Sequence, residues 1–164
     1  MSIITPEIEY VDRSMESIRY LEHGWPSNLC RWHSHREFEL HLIVATRGKA
    51  FVGDYIGEFR PGSLFLTGPY LPHNWVTDEI TSRHVSTRDM LVQFDQESVN
   101  SLSLAFPEFD DMRPMFELAC SGIEFSGFDA KLVQRRLAEI RNSSGPSRIL
   151  AFLQLLVEIN QHCL

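Results

Sequence analysis

Cysteine is scarce and badly placed for cross-linking. Cys30, Cys120 and Cys163 are odd in number and form no C-x-x-C pair, which excludes a disulfide framework or a zinc ribbon and fits thiols kept reduced inside a cell. Positive charge is also short. Fifteen Lys and Arg stand against 22 Asp and Glu, a formal charge of -7, so a phosphate backbone would repel this polypeptide, and any role on nucleic acid needs another segment. No apolar run approaches the ~20 residues of a bilayer span. Residues 1–6 carry no basic stretch followed by an apolar one, so no anchor or signal peptide is read and the cytoplasm is the expected location. Nothing reads as disordered: 43% apolar and 23% charged residues in a chain of 164 are ordinary for one globular domain with a real core.

What is present first is the punctuation of short strands. An opening strand is expected around Ile18, Tyr20 and Leu21, ended by a turn at 24–28. From Cys30 to Phe94, short apolar runs each stop in turn chemistry: 38–45 before Arg47-Gly48, 50–52 before Gly53-Asp54, 55–60 before Pro61-Gly62, and 63–67 before Gly68-Pro69. Runs at 73–76 and 88–94 follow. Many short strands with apolar residues on both faces predict a barrel or sandwich, closure being favoured.

After Asp95 the period changes. Val99, Leu102, Leu104, Phe106, Met112, Met115, Phe116, Leu118 and Ala119 fit helical spacing over 98–120. Residues 122–127 interrupt it as an edge strand. Asp129 is placed to cap a helix with Ala130, Val133, Leu137 and Ile140 on one face. The last helix, about 146–160, is apolar nearly all round, with Ile149, Leu150, Phe152, Leu153, Leu155, Leu156, Val157 and Ile159. It should therefore bury two faces, one on the preceding helix or the barrel and one on a two-fold copy of itself; a wholly buried hairpin helix in a monomer is the alternative.

The chemistry concentrates in His33-Ser34-His35-Arg36-Glu37-Phe38-Glu39, answered by Leu71-Pro72-His73-Asn74-Trp75. Strand alternation points His33 and His35 to one side, and Glu39 joins them if a tight turn keeps register. Glu37 shares that parity and rivals it. Two readings stand side by side. In one, His33, His35, Glu39 and His73 hold a divalent metal, Zn, Ni, Fe or Mn, among which the ligand set does not choose. In the other, neutral imidazoles line a polar pocket and hydrogen-bond a small ligand or each other. His23, His41 and His84 fall outside the pattern and read as surface or satisfied core histidines, although His41 shares Glu39's parity and could enter the pocket.

These motifs resemble the cupins. The first cupin motif is matched by His33, His35 and Glu39 with Gly48, separated from Glu39 by eight residues, a longer spacer than usual. The second is matched by Pro61-Gly62 leading to His73, with Gly68-Pro69 in place of the usual Pro-x-Gly order. The chain resembles more closely the N-terminal sensory half of AraC-type transcription regulators, through 51–54, 68–75, 92–94, Phe106-Pro107-Glu108, 122–127, and Gly145 with Arg148-Ile149-Leu150. That likeness spans almost the whole chain.

The resemblance implies a mainly β fold with C-terminal α: a cupin double-stranded β-helix, or jelly-roll barrel, over 1–127 with a helical insertion at about 98–120, then a helical dimerisation and linker segment over 128–164. It implies a non-enzymatic domain that binds a small effector, such as a sugar, and forms a homodimer. Arg31, His33, His35, His73, Trp75, Asp89 and Gln93 are the implied effector contacts, Trp75 stacking on a pyranose face while Gln93 or Asp89 bonds hydroxyls. The N-terminal residues are the natural movable lid. DNA contact is implied only through two helix-turn-helix units of about one hundred residues, expected beyond Leu164, so the sequence reads as a sensor lacking them. The rival readings are a metal-dependent cupin enzyme, a dioxygenase or sugar isomerase, and a free-standing cupin binding module.

Overall fold

A computed structural model of the protein describes residues 4–10, 16–79 and 83–163. The strands are β1 (Glu7–Ile8), β2 (Ile18–Trp25), β3 (His33–Ser34), β4 (Phe38–Ile43), β5 (Gly48–Val52), β6 (Tyr55–Phe59), β7 (Leu64–Thr67), β8 (His73–Thr77), β9 (Val85–Phe94) and β10 (Ile123–Glu124). Helices α1 (Gln96–Ala105), α2 (Arg113–Ala119), α3 (Ala130–Asn142) and α4 (Gly145–Asn160) follow β9, with a 3-10 helix, Pro107–Met112, joining α1 to α2. The strands form two five-stranded sheets, ordered β1-β3-β8-β5-β6 and β10-β7-β4-β9-β2. Pairing is antiparallel except where β1 lies parallel to β3.

Alternation along β4 and β9 divides the interior in two. Phe38, Leu40 and Leu42 with Met90, Val92 and Phe94 join Met115, Phe116, Leu137, Ile140, Phe152 and Leu155 in one apolar core between the second sheet and the helices. On the other face, Ile43 belongs to a small core with Ala50, Phe59, Phe65 and Trp75 that lies between the sheets. Glu39, His41, Asp89, Leu91 and Gln93 share that inward face by parity. Every residue of β4 is buried, because one sheet covers one side and the helices the other.

The helical layer follows its local signals. Asp129 caps α3, accepting hydrogen bonds from the backbone N–H groups of Lys131 (2.9 Å) and Leu132 (3.2 Å). Asp95 does the same for α1 through Ser98 N–H at 2.7 Å. The 98–120 stretch is not continuous: Phe106 precedes Pro107 and is forced to extended backbone, φ -135° and ψ 95°, since proline disfavours a helical predecessor. In α4, Phe152, Leu155, Leu156 and Ile159 form the buried stripe, each worth roughly 1.5–3 kcal/mol on burial. Leu150 (68% exposed) and Val157 (40% exposed) lie outside that stripe. One face of α4 is thus covered within the chain, and part of its apolar surface is not.

Gly68 fixes the turn that leads to His73. Its N–H donates to the carbonyl of Ala119 at the end of α2, 2.6 Å away. A Cβ at Gly68 would stand 2.8 Å from that oxygen and from Cys120 Cα, so glycine is required by the close approach.

Candidate metal centre and pocket

β3 and β8 place His33 directly opposite His73. A bend then returns the chain through His35 into β4, which carries Glu39. One donor atom from each of His33, His35, Glu39 and His73 lies within 4.8 Å of all the others. Each imidazole is anchored through Nδ1 to a backbone carbonyl two residues away: His33 to Arg31 O (2.7 Å), His35 to Glu37 O (3.1 Å) and His73 to Leu71 O (2.8 Å). A carbonyl only accepts, so Nδ1 carries the proton and Nε2 is left as the inward lone pair, the arrangement of metal-ligating histidines.

Glu39 is held from both sides. Gln93 donates to Oε2 at 2.9 Å and His41 Nδ1 donates to Oε1 at 2.8 Å. His35 Nε2 faces Oε2 at 3.1 Å. Two acceptors at that distance need a shared proton or a cation between them, and without a cation the proton falls to His35. Burial pulls the His35 pKa down, but the hydrogen bond and charge of Glu39, with Glu37 and Glu9, outweigh it and leave the group raised. Burial would lift Glu39, yet the hydrogen bonds from His35 and His41 hold it well below the carboxylate range. His73 is different: burial drives it down to about 3, so its ring stays neutral. Its Nε2 is buried without a hydrogen-bond partner and lies 3.7 Å from Glu39 Oε1.

An orphaned imidazole nitrogen, two further inward lone pairs and an anchored carboxylate fit a divalent ion of borderline softness, with three nitrogen donors and one oxygen. These four residues could hold a metal. Glu37 is outside the group. It is fully buried, neither of its oxygens is hydrogen-bonded, and its Oε2 stands 3.7 Å from the protonated Nδ1 of His35. The bend after His35 therefore decides between the two carboxylates.

Behind the donors lies a charged network that the spacing of motifs does not reveal. Asp89 is fully buried and meets His23 Nδ1 at 3.0 Å, Arg88 Nε at 2.8 Å and His41 Nε2 at 3.2 Å, the last without hydrogen-bond alignment. Arg88 also donates to Trp75 O at 2.9 Å. Burial would raise Asp89, but the charge of His41, the bond from His23 and Arg88 depress it. At His41 burial pulls the other way, but Asp89 and Glu39 overcome it and lift the ring to about 9. The one available signal was parity, which puts His41 beside Glu39; a buried Arg88 ahead of an apolar strand gives none. His84 is exposed.

Arg31, His33, Trp75 and Gln93 line one cavity of about 50 Å³, together with Glu9 and Glu39. His35 and His73 belong to the donor cluster, and Asp89 reaches the cavity through His23 and Arg88. Trp75 is buried and stacks on His41, ring centres 3.9 Å apart, so His41 occupies one of its faces. A cavity of this size is well under the ~150 Å³ that accepts a benzene-sized molecule.

No known sequence family matches the chain, and neither does any curated protein. Solved structures do. ToxT from Vibrio cholerae O395, bound to (E)-4-(8-methylnaphthalen-1-yl)but-3-enoic acid, matches with a TM-score of 0.50 at 8% identity over 90% of this chain and 58% of ToxT. The AraC-like transcriptional activator CuxR matches at 0.46 and 12% identity over 78% of this chain and 42% of CuxR. Streptomyces albus HEPD, with 2-hydroxyethylphosphonate and Fe(II) bound, matches at 0.35 and 14% identity, covering 90% of this chain and 40% of HEPD. The chain thus spans 58% of ToxT and 42% of CuxR. What these remote identities establish is a fold shared with ToxT across most of the described chain.

Proposed function

We propose that the chain is the ligand-sensing and dimerisation domain of an AraC-type, DNA-binding transcription regulator, non-enzymatic and cytoplasmic. The observation that carries the reading is the fold shared with ligand-bound ToxT over 90% of the chain, on which the motifs of the sequence fall in the family's order. In this reading residues 1–127 are a cupin jelly-roll barrel with its helical insertion, and 128–164 are the segment that pairs two copies through α4, where Leu150 and Val157 stand exposed. DNA contact belongs to the helix-turn-helix units of such regulators, in keeping with a domain of charge -7.

The effector is a small molecule, a sugar being the leading class, that touches Arg31, His33, His35, His73, Trp75, Asp89 and Gln93. At about 50 Å³ the cavity admits it only once the N-terminal strand has moved. His33, His35 and His73 through Nε2, with Glu39, hold a divalent ion, which when bound supplies a Lewis-acid contact for an effector oxygen. The rest falls to the chain: Gln93 and His41 fix Glu39, and Asp89 fixes His41.

Thermal-shift screening of sugars and small organic acids against the metal-loaded protein, with sedimentation equilibrium, tests the proposal. At one hundred times Kd a ligand adds about 2.7 kcal/mol, so the expected result is a dimer whose Tm rises for one ligand class and which returns that ligand unchanged. A monomer that converts the ligand would overturn it in favour of a metal-dependent dioxygenase or isomerase, the reading that the donor cluster by itself also supports.

A further inference from the structure

Strand β1 pairs with β3, and Glu9 immediately after it lines the cavity. The strand's apolar residue, Ile8, is exposed, as are Ile4 and Tyr10 on either side; of the two acids Glu7 stays on the surface and Glu9 is half-buried. Glu7 pairs with Arg31 at 2.8 Å on the rim. Glu9 goes further in: its Oε2 is 3.6 Å from His33 Nε2, and Arg19 stands 3.8 Å from its other oxygen. The backbone pairs with β3 and is tied through Glu7 N–H to Trp32 O (3.1 Å) and Glu9 N–H to Ser34 O (2.8 Å). Among the described residues 4–10 no apolar side chain is buried, so backbone pairing and charge dock this strand.

We propose that Glu9 is a fifth donor to the metal held by His33, His35, Glu39 and His73, so that the ion latches the N-terminal strand onto the barrel. The inference rests on the metal reading above and adds a ligand outside the motif. Donors each ~2.1 Å from one ion stand roughly 3–3.6 Å apart, which is the separation of Glu9 Oε2 from His33 Nε2. Glu9 and Glu39 wall the same cavity of about 50 Å³, space for an ion and a water, whose share of liquid volume is ~30 Å³. Two carboxylates would neutralise a divalent ion in a site largely closed to water. Strand docking, cavity closure and metal occupancy thereby become one event, and an effector that enters must take the place of Glu9.

The test uses the metal-free protein titrated with Zn(II) alone, in wild type, Glu9→Gln and Glu7→Gln, reading Zn affinity by competition with a chromophoric chelator and backbone hydrogen exchange over residues 4–10. In wild type and Glu7→Gln, Zn should slow exchange at the β1 amides about tenfold or more. In Glu9→Gln that protection should vanish and Zn affinity fall at least about tenfold, while circular dichroism stays unchanged. Equal affinity and equal protection in Glu9→Gln would overturn the latch. So would an equal loss in Glu7→Gln, which would show that strand docking in general, not the Glu9 donor, is what matters. Wild type that takes up no Zn would overturn the metal reading itself, a separate outcome.

Discussion

One residue apart along β4, Phe38, Leu40 and Leu42 face the helices while Glu39 and His41 face the space between the sheets, and the two faces are made on opposite principles. The helix face is apolar from Met90 to Phe152 and gains its stability from area removed from water. The inward face is a network of charges and lone pairs, and it is not fully satisfied. Buried atoms of His41, Thr67, His73, Trp75 and Gln93 lack hydrogen bonds there, each such atom costing about 1–3 kcal/mol. A fold that concentrates its stability on one face can hold unfilled donors and acceptors on the other.

That contrast can be broken from either side. The largest effect is expected at the charged network: Asp89→Ala leaves Arg88 buried without its carboxylate and should cost about 3–5 kcal/mol in urea denaturation. On the helix face, Leu155→Ala should cost about 2–5 kcal/mol while Zn affinity, read by chelator competition, stays at the wild-type value; a weakened site would show that the faces are not independent. His73→Ala and His33→Ala should reverse this, losing bound metal in elemental analysis while metal-free His73→Ala loses less stability than Leu155→Ala, because the Nε2 it removes had no partner. Retention of metal by both variants would leave the polar-pocket account.

The smallest effect lies at the seam between sheet and helices, where Glu22 accepts from Tyr20 (2.5 Å) and Arg141 (2.7 Å). The Tyr20 bond, opposed by partial burial and aided by Arg141, lowers the Glu22 pKa. A depressed carboxylate stabilises the fold above its unfolded pKa of about 4.3 and loses that contribution as pH falls through its folded value. Glu22→Gln should therefore flatten the acid limb of stability below about pH 4.3 by less than about 1 kcal/mol.

Much of this was legible because it is local. Turn residues ended the strands from Phe38 to Thr67, Asp129 announced α3, and the spacing of His33, His35 and Glu39 brought the donors together with His73. What was not legible depends on distance along the chain. No periodicity announces a two-residue strand such as β1, whose register with β3 is set by pairing across some twenty-five positions, nor does any pattern say that Arg88 folds inward onto Asp89. The contest between Glu37 and Glu39 turned on a bend between them, and the helical stretch 98–120 looked continuous because its apolar spacing outlasts the break that Pro107 imposes.

Gly68 has a further consequence. Its N–H is tied to the last carbonyl of α2, and even a methyl group would not fit between the two segments, so the turn leading to His73 and the end of α2 behave as one rigid strut. The opposite end of α2 is seated, through Met115 and Phe116, in the core shared with α3 and α4. A tilt of that helix would be delivered to a single donor, His73, and a shift of His73 returned to the helices.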